Sequence, residues 1–170
     1  MRKEQKANYP ESARGAAALL VRMVLEDGAY TNIALNQYLR GSRLSDLDRR
    51  LATELVYGTV KASGTLDWYL AQCVSRPLDK VAGDILAILR ISTYQLLYMT
   101  RIPASAAVNE AVKLARSVSH EGSAKFVNGV LRGLLRKQEA GAFVLPDAKF
   151  ARLSENRCIT GLSRLFSFDP

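Results

Sequence analysis

The sequence predicts an all-α fold. Apolar residues recur three and four apart along most of the 170 positions and hardly ever alternate, which is the spacing of helices with one buried side. Ser12 and Ser45 stand where two such stretches begin, and glycine or proline follows several of them, as caps and stops require. Hydrophobic residues make up 48% of the chain, enough to build the core of one domain of this length.

Ser12 caps a first helix reaching to about Asp27, with Ala16, Ala17, Leu20, Val21 and Val24 inward and Gly28 as its stop. A short second helix covers about 32–39. Ser45 caps a third, SDLDRRLATELVYG, in which Asp46 and Asp48 suit the positive end of the helix dipole and Leu47, Leu51 and Leu55 face inward. Gly58 and Gly64 bracket its end, and residues 65–74 make a further short helix before Pro77. The most apolar element spans 78–99, with Ala82, Ile85, Leu86, Leu89, Thr93, Leu96 and Leu97 on one side and Ile88, Ile91 and Tyr98 around the others. A helix apolar all round is buried all round, so this one is central.

Pro103 ends it, and Val108, Ala111, Val112, Ala115 and Val118 then repeat the inward pattern. Gly122 sits in a turn before KFVNGVLRGLLRK, residues 125–137, the last helix. At about 100° per residue, Phe126, Val127, Val130, Leu131 and Leu134 form its apolar side, and Lys125, Asn128, Arg132 and Arg136 the opposite stripe. Gly129 and Gly133 lie on the flank between, where each costs about 1 kcal/mol relative to alanine. Such a cost predicts a close neighbour, either the backbone of another helix or that of RNA. Past Gly141 the periodicity weakens and Pro146 interrupts it. The organisation is therefore a basic arm over 1–11, a helical domain over 12–140, and a linker and poorly predicted tail over 141–170.

Twenty-four Lys and Arg against sixteen Asp and Glu give a net charge of +8, which favours polyanionic partners, nucleic acid ahead of a membrane surface. Cys73 and Cys158 are far apart and in no C-x-x-C spacing, so neither a disulfide framework nor a zinc site is implied, and a reducing cytoplasm fits. The longest apolar stretch, 85–99, is interrupted by Arg90 and too short to span a bilayer, and no apolar region follows the basic N-terminus. Membrane insertion and secretion are not expected.

Catalytic devices are missing from the residue inventory. The single histidine, His120, reads as a solvated loop residue beside Glu121, which rules out a hydrolytic triad or a histidine-based metal site. There is no G-x-x-x-x-G-K-[ST] loop and no strand followed by G-x-G-x-x-G. Glu110 lies on a polar helix face, where an ion pair or a capping contact is its ordinary use, and nothing around Cys158 would lower its pKa. No catalytic residue, metal ligand or bound cofactor is expected.

RISTYQLLYMTRIPASAAVNEAVKLAR, residues 90–116, followed by KFVNGVLRGLLRK, resembles the NusB-type RNA-binding domain, whose pattern joins an R-x-x-x-Y-x-L helix, an I-P turn, an N-E-A-V helix and an F-V-N-x-V-L-R helix. ARGAAALLVRMVL and RRLATELVYGTV look like that family's first and third helices, and the likeness runs from Ser12 to Lys137. The resemblance implies a NusB-like helical bundle in which the last helix packs on the NEAV helix, with Phe126, Val130, Leu131 and Leu134 in the core and Gly129 and Gly133 admitting a neighbour's backbone. Two kinds of protein share the fold. Stand-alone transcription antitermination factors bind boxA-type RNA with a ribosomal protein, and ribosomal RNA 5-methylcytosine methyltransferases carry such a domain at their N-terminus. DRRLATELVYGTVKASGTLDWYL and the LPDA after the last helix look more like the methyltransferases. In that case S-adenosylmethionine belongs to a catalytic domain that would follow, and from about Lys149 the tail stops resembling the family.

The resemblance also implies RNA contacts from the basic N-terminal segment and nearby helix ends, a location matched by Arg2, Lys3, Lys6 and Arg14. Arg49 and Arg50 on the third helix are further candidates, with ion pairs to Asp46 and Asp48 as the rival use, and Lys125, Arg132 and Arg136 complete the set. Tyr9 and Tyr30 are candidates for stacking on unpaired bases. The alternative reading is a helical protein-interaction module whose charge serves solubility.

Overall fold

A computed structural model of the chain describes residues 7–143, which form seven α-helices and one 3-10 turn, with no strand among them. The helices are α1 (Ala13–Leu25), α2 (Thr31–Gly41), α3 (Asp46–Lys61), α4 (Ser63–Ala71), α5 (Gly83–Tyr98), α6 (Ala104–Val118) and α7 (Glu121–Ala140), with the 3-10 turn at Leu78–Lys80. The tail and the first residues of the arm, Arg2, Lys3 and Lys6 included, lie outside the described residues, as does Cys158.

Helix α5 is the hub. It packs against α1, α3, α4, α6 and α7, and every residue from Ile85 to Thr93 is buried. Two of its polar side chains bond back to the helix: the Ser92 hydroxyl donates to the Ile88 carbonyl at 2.7 Å, and the Gln95 amide donates to the Ile91 carbonyl at 3.1 Å, while the buried Thr93 hydroxyl has no partner among the described residues. Arg90, only 9% exposed, forks onto Asp67 of α4 at 2.8 and 2.9 Å and approaches Glu26 beyond the end of α1 at 3.6 Å. A charge that deep holds only because it is paired.

Small residues let α1 come close. Ala13, Gly15, Ala16, Ala17 and Ala18 are all buried, and a helix lined with such residues approaches its neighbours backbone to backbone; here these are α3 and α5. Gly15 has a specific reason to lack a side chain, because a Cβ there would lie 2.1 Å from the Pro10 carbonyl oxygen. The arm therefore crosses α1 in contact. Ser12 caps the helix as its sequence implies, accepting from the Gly15 N–H at 3.0 Å.

Several elements depart from the sequence expectation, each for a physical reason. Leu47 is 76% exposed rather than inward: the buried stripe of α3 is Ala52, Leu55, Val56 and Thr59, and at about 100° per residue Leu47 points well away from it. The end of α3, by contrast, is where it was expected, at Lys61 between Gly58 and Gly64. Gly58 has a further use, since it makes room for Tyr94 of α5, whose ring would be 2.2 Å from an added Cβ. The stretch 78–99 is not one helix, since Val81 and Ala82 are extended and separate the 3-10 turn from α5. Ala82 is exposed as a result, while Val81 turns into the core. Gly122 belongs to the first turn of α7, not to the turn before it.

The expectation for Gly129 and Gly133 is overturned as well. No atom approaches within 4 Å of a Cβ built at Gly129, and at Gly133 only the Arg136 guanidinium does, at 3.9 Å. No neighbouring backbone uses that flank, and nothing among the described residues explains the two glycines. The apolar side of α7 is as expected, with Val127, Val130, Leu131 and Leu134 buried and Phe126 half-buried against the same core.

Candidate nucleic-acid interface

The α6–α7 connection is only two residues long, and His120 closes it by capping α7. Its extended backbone lets the imidazole Nδ1 accept from the Ser123 N–H at 3.3 Å, and the hydroxyls of Ser119 and Ser123 meet at 2.8 Å. A Cβ on Gly122 would come within 2.9 Å of the His120 ring, so glycine keeps the capped turn open. The 3-10 turn after Pro77 and the start of α5 face this turn across a groove of about 500 Å³. Val81, Ile85 and Phe126 supply its apolar surface; Arg76, Lys80, Ser119, His120 and Ser123 supply its polar groups. Arg76 lies over the Phe126 ring, 4.8 Å from its centroid, in cation–π contact.

Beside it a second hollow of about 390 Å³ is lined by Ala7, Asn8, Asp84, Ile85 and residues 117–120. The arm thus joins the bundle at this same end. Tyr9 fixes the junction by donating its hydroxyl to Asp84, which also pairs with Arg22 at 3.0 Å. Burial first, then the hydrogen bond to Asp84 and that carboxylate's charge, hold the Tyr9 phenol far above its ordinary pKa.

Two cations at this end are in no ion pair: those among the described residues engage Arg22, Arg90, Arg101, Lys113 and Arg116, and leave Arg76 and Lys80 unpaired. The positive end of α7 opens onto the same groove. Glu121 in that first turn is occupied by Arg116 at 2.6 Å, a contact that holds its carboxyl below the ordinary range.

The candidate cations named from the sequence do not form one patch. Arg14 is half-buried, and its Nε donates to the Gln95 Oε1 at 2.9 Å. Arg49 donates to the Leu39 carbonyl at 2.5 Å, closing the end of α2, while Arg50 is exposed; among the described residues neither pairs with Asp46 or Asp48. Lys125 and Arg136 are exposed, and Arg132 bonds Asn128 one turn back at 2.9 Å. Helices α3 and α7 both pack on α5, and Arg49 and Arg50 line a hollow of their own with Thr53, Glu54 and Tyr57. Tyr9 is engaged with Asp84, whereas Tyr30 is 76% exposed. Arg76 and Lys80, in SRPLDK, escaped sequence reasoning because they sit in an irregular connection with no periodicity to signal where they point. Glu110 makes the kind of ion pair its position implies, with Lys113 at 3.6 Å.

Other chemistry finds little support. Among the described residues no group of His, Cys, Asp and Glu is arranged to hold a metal ion, and no helix is long and apolar enough to cross a membrane. Burial raises the Cys73 thiol pKa, which disfavours the nucleophilic thiolate. With no strand leading into a glycine turn, the described residues do not fit a methyl-donor site.

Three similarities bear on identity. The chain is 41% identical over 140 residues to a probable ribosomal RNA small subunit methyltransferase B of Synechocystis sp., a match covering 82% of this chain and 31% of that protein. It is 34% identical over 103 residues to the transcription antitermination protein NusB of Shewanella loihica, covering 61% of this chain and 77% of that one. In fold it matches a chain from the crystal structure of antitermination factors NusB and NusE in complex with dsRNA, with a TM-score of 0.68 and 21% identity over 75% of this chain and 96% of that chain. The chain thus spans about a third of the methyltransferase relative's length. The NusB family model matches residues 11–136, and with the helical order and the relatives in agreement, the chain belongs to the NusB family.

Proposed function

We propose that this chain is an RNA-binding domain that serves as the non-catalytic N-terminal part of an S-adenosylmethionine-dependent ribosomal RNA cytosine methyltransferase, where it helps dock the RNA. The observation that carries the RNA reading is the meeting of two unpaired cations, Arg76 and Lys80, with the capped start of α7 at the end of the bundle where the basic arm joins. Arg2, Lys3 and Lys6 precede Ala7, which lines the neighbouring hollow, and Lys125 sits one residue before Phe126 of the groove. Lysine and arginine on phosphates supply affinity. The Arg76 guanidinium, held over the half-buried Phe126 ring, offers a flat cationic face on which an unpaired base can stack. The methyltransferase part of the reading rests on the relative in Synechocystis sp., and the methyl transfer itself would belong to residues outside those described.

A second reading, a stand-alone antitermination factor acting on boxA-type RNA with a ribosomal protein, is favoured by the Shewanella relative, of whose length the match covers 77%. Both readings require RNA binding. Titration of the 170-residue chain against small-subunit ribosomal RNA fragments, boxA-like single strands and a scrambled control separates them by preference. If four to six phosphates are contacted, raising salt from about 50 to 200 mM weakens binding on the order of ten- to a thousandfold. Affinity that is flat with salt, or absent for all three RNAs, overturns the proposal.

A further inference from the structure

Away from the basic groove, the outer surface of α3, α5 and α4 carries a run of aromatic rings that the RNA reading does not use. Tyr57 of α3 is 46% exposed and Tyr98 of α5 is 49% exposed. Between them Tyr94 is seated in the notch left by Gly58, with its ring centroid 5.3 Å from that of Tyr98. Helix α4 packs against α5, and its aromatic residues extend the set. There Tyr69 and Trp68 meet edge to face at 4.8 Å, and Phe143 packs against Tyr69 at 4.7 Å.

Phe143 shows where the polypeptide goes. Helix α7 ends at Gly141, whose left-handed φ of +62° turns the chain back, and two residues later Phe143 lies against α4. The described chain therefore leaves the bundle at the edge of the aromatic surface, not at the basic groove. Of the charges nearby, Glu54 of α3 pairs with Arg101 at 2.6 Å, while Arg49 and Arg50 line a hollow together with Glu54 and Tyr57. Exposed tyrosines with arginines beside them suit a protein partner, because aromatic side chains and arginine are both enriched in protein interfaces.

We infer that the Tyr57–Tyr94–Tyr98 surface is the seat of the catalytic part that continues the chain in the methyltransferase relatives, so that the domain presents its basic groove to RNA while its aromatic side holds the enzyme. The inference rests on the methyltransferase reading above. In the relative from Synechocystis sp. the matched region is 31% of the length, leaving the larger share of that protein to occupy such a seat. Joined at the exit beside Tyr69, a following domain meets the seat at high effective concentration, so a modest surface suffices.

The test uses the 170-residue chain and, as partner, the portion of the Synechocystis relative outside the match, titrated by calorimetry. A chimaera in which this chain replaces the matched region of that relative is compared with the chain alone by hydrogen exchange. The expected result is saturable binding that falls at least tenfold in Tyr57→Arg and in Tyr98→Ser but not in Lys80→Ala. In the chimaera, peptides containing Tyr57 and Tyr98 gain protection and those containing Arg76 and Lys80 do not. Unchanged protection at the tyrosines overturns the inference, as does equal binding by the tyrosine variants, self-association of the chain through these rings, or loss of RNA binding in Tyr57→Arg. Salt-dependent RNA binding by the wild-type chain, measured in parallel, reports separately on the RNA reading, which stands or falls independently of this seat.

Discussion

Gly58 and Gly129 occupy helix interiors for opposite reasons. At Gly58 a single methyl group would sit 2.2 Å from the Tyr94 ring, so Gly58→Ala forces the tyrosine or α5 to move, and overpacking of this kind costs about 1–3 kcal/mol, more than offsetting the roughly 1 kcal/mol gained in helix propensity. At Gly129 nothing lies within 4 Å, and Gly129→Ala should instead gain about 1 kcal/mol from helix propensity. Thermal melts of the two variants should therefore shift in opposite directions, and a destabilised Gly129→Ala would mean that the flank is occupied after all. Tyr9 adds a pH dependence. Its phenol is held above its ordinary value by burial and by Asp84, so its contribution is complete below the unfolded pKa of about 10 and is lost as pH rises beyond it. Tyr9→Phe cannot ionise, so although it is less stable than wild type at pH 7, the difference should narrow between pH 9 and 11. A constant difference across that range would show that Tyr9 does not ionise with unfolding.

The elements were legible in the sequence wherever one helix face decides burial. Helix α6 and the apolar side of α7 follow their periodicity, and the caps at Ser12 and Ser45 form as their side chains dictate. What local reading missed was the break at Val81–Ala82 before α5 and the packing role of Gly58, because the demand for space there comes from Tyr94, thirty-six positions away in the chain. Arg90 was equally opaque, a charge that breaks an apolar run yet lies buried because α4 brings Asp67 to it. That pairing makes an ordered prediction. Asp67→Ala leaves a guanidinium buried with only the more distant Glu26, and should cost about 3 kcal/mol or more. Arg90→Met removes the buried charge and leaves Asp67 partly solvated, so it should cost less. Denaturant unfolding of both variants gives the order, and the reverse order would show that Arg90, not its pairing, is what the bundle needs.

At the scale of the whole molecule, charge was legible as a sum but not as a surface. A net charge of +8 points to a polyanion, yet local sequence does not reveal that Arg14 is spent on Gln95, that Arg49 closes α2, or that Arg76 and Lys80 converge with the α6–α7 turn. Convergence depends on how an irregular connection is folded, and periodicity carries no information about that. Because Arg49 and Arg50 line a hollow of their own, their role and that of the groove cations are testable one at a time. Each phosphate contact on single-stranded RNA contributes about 0.7 to the slope of log affinity against log salt. If the groove is the interface, the double variant Arg76→Ala with Lys80→Ala should lower that slope by about 1.4, while Arg49→Ala with Arg50→Ala leaves it unchanged. Both cations of the groove are exposed, so their removal spares the core, and circular dichroism should show the wild-type helix content. A slope that falls with the α3 pair and not with the groove pair would move the RNA to α3, where Arg49 and Arg50 share a hollow with Tyr57 and where it would compete with the aromatic surface for the same partner-facing helix.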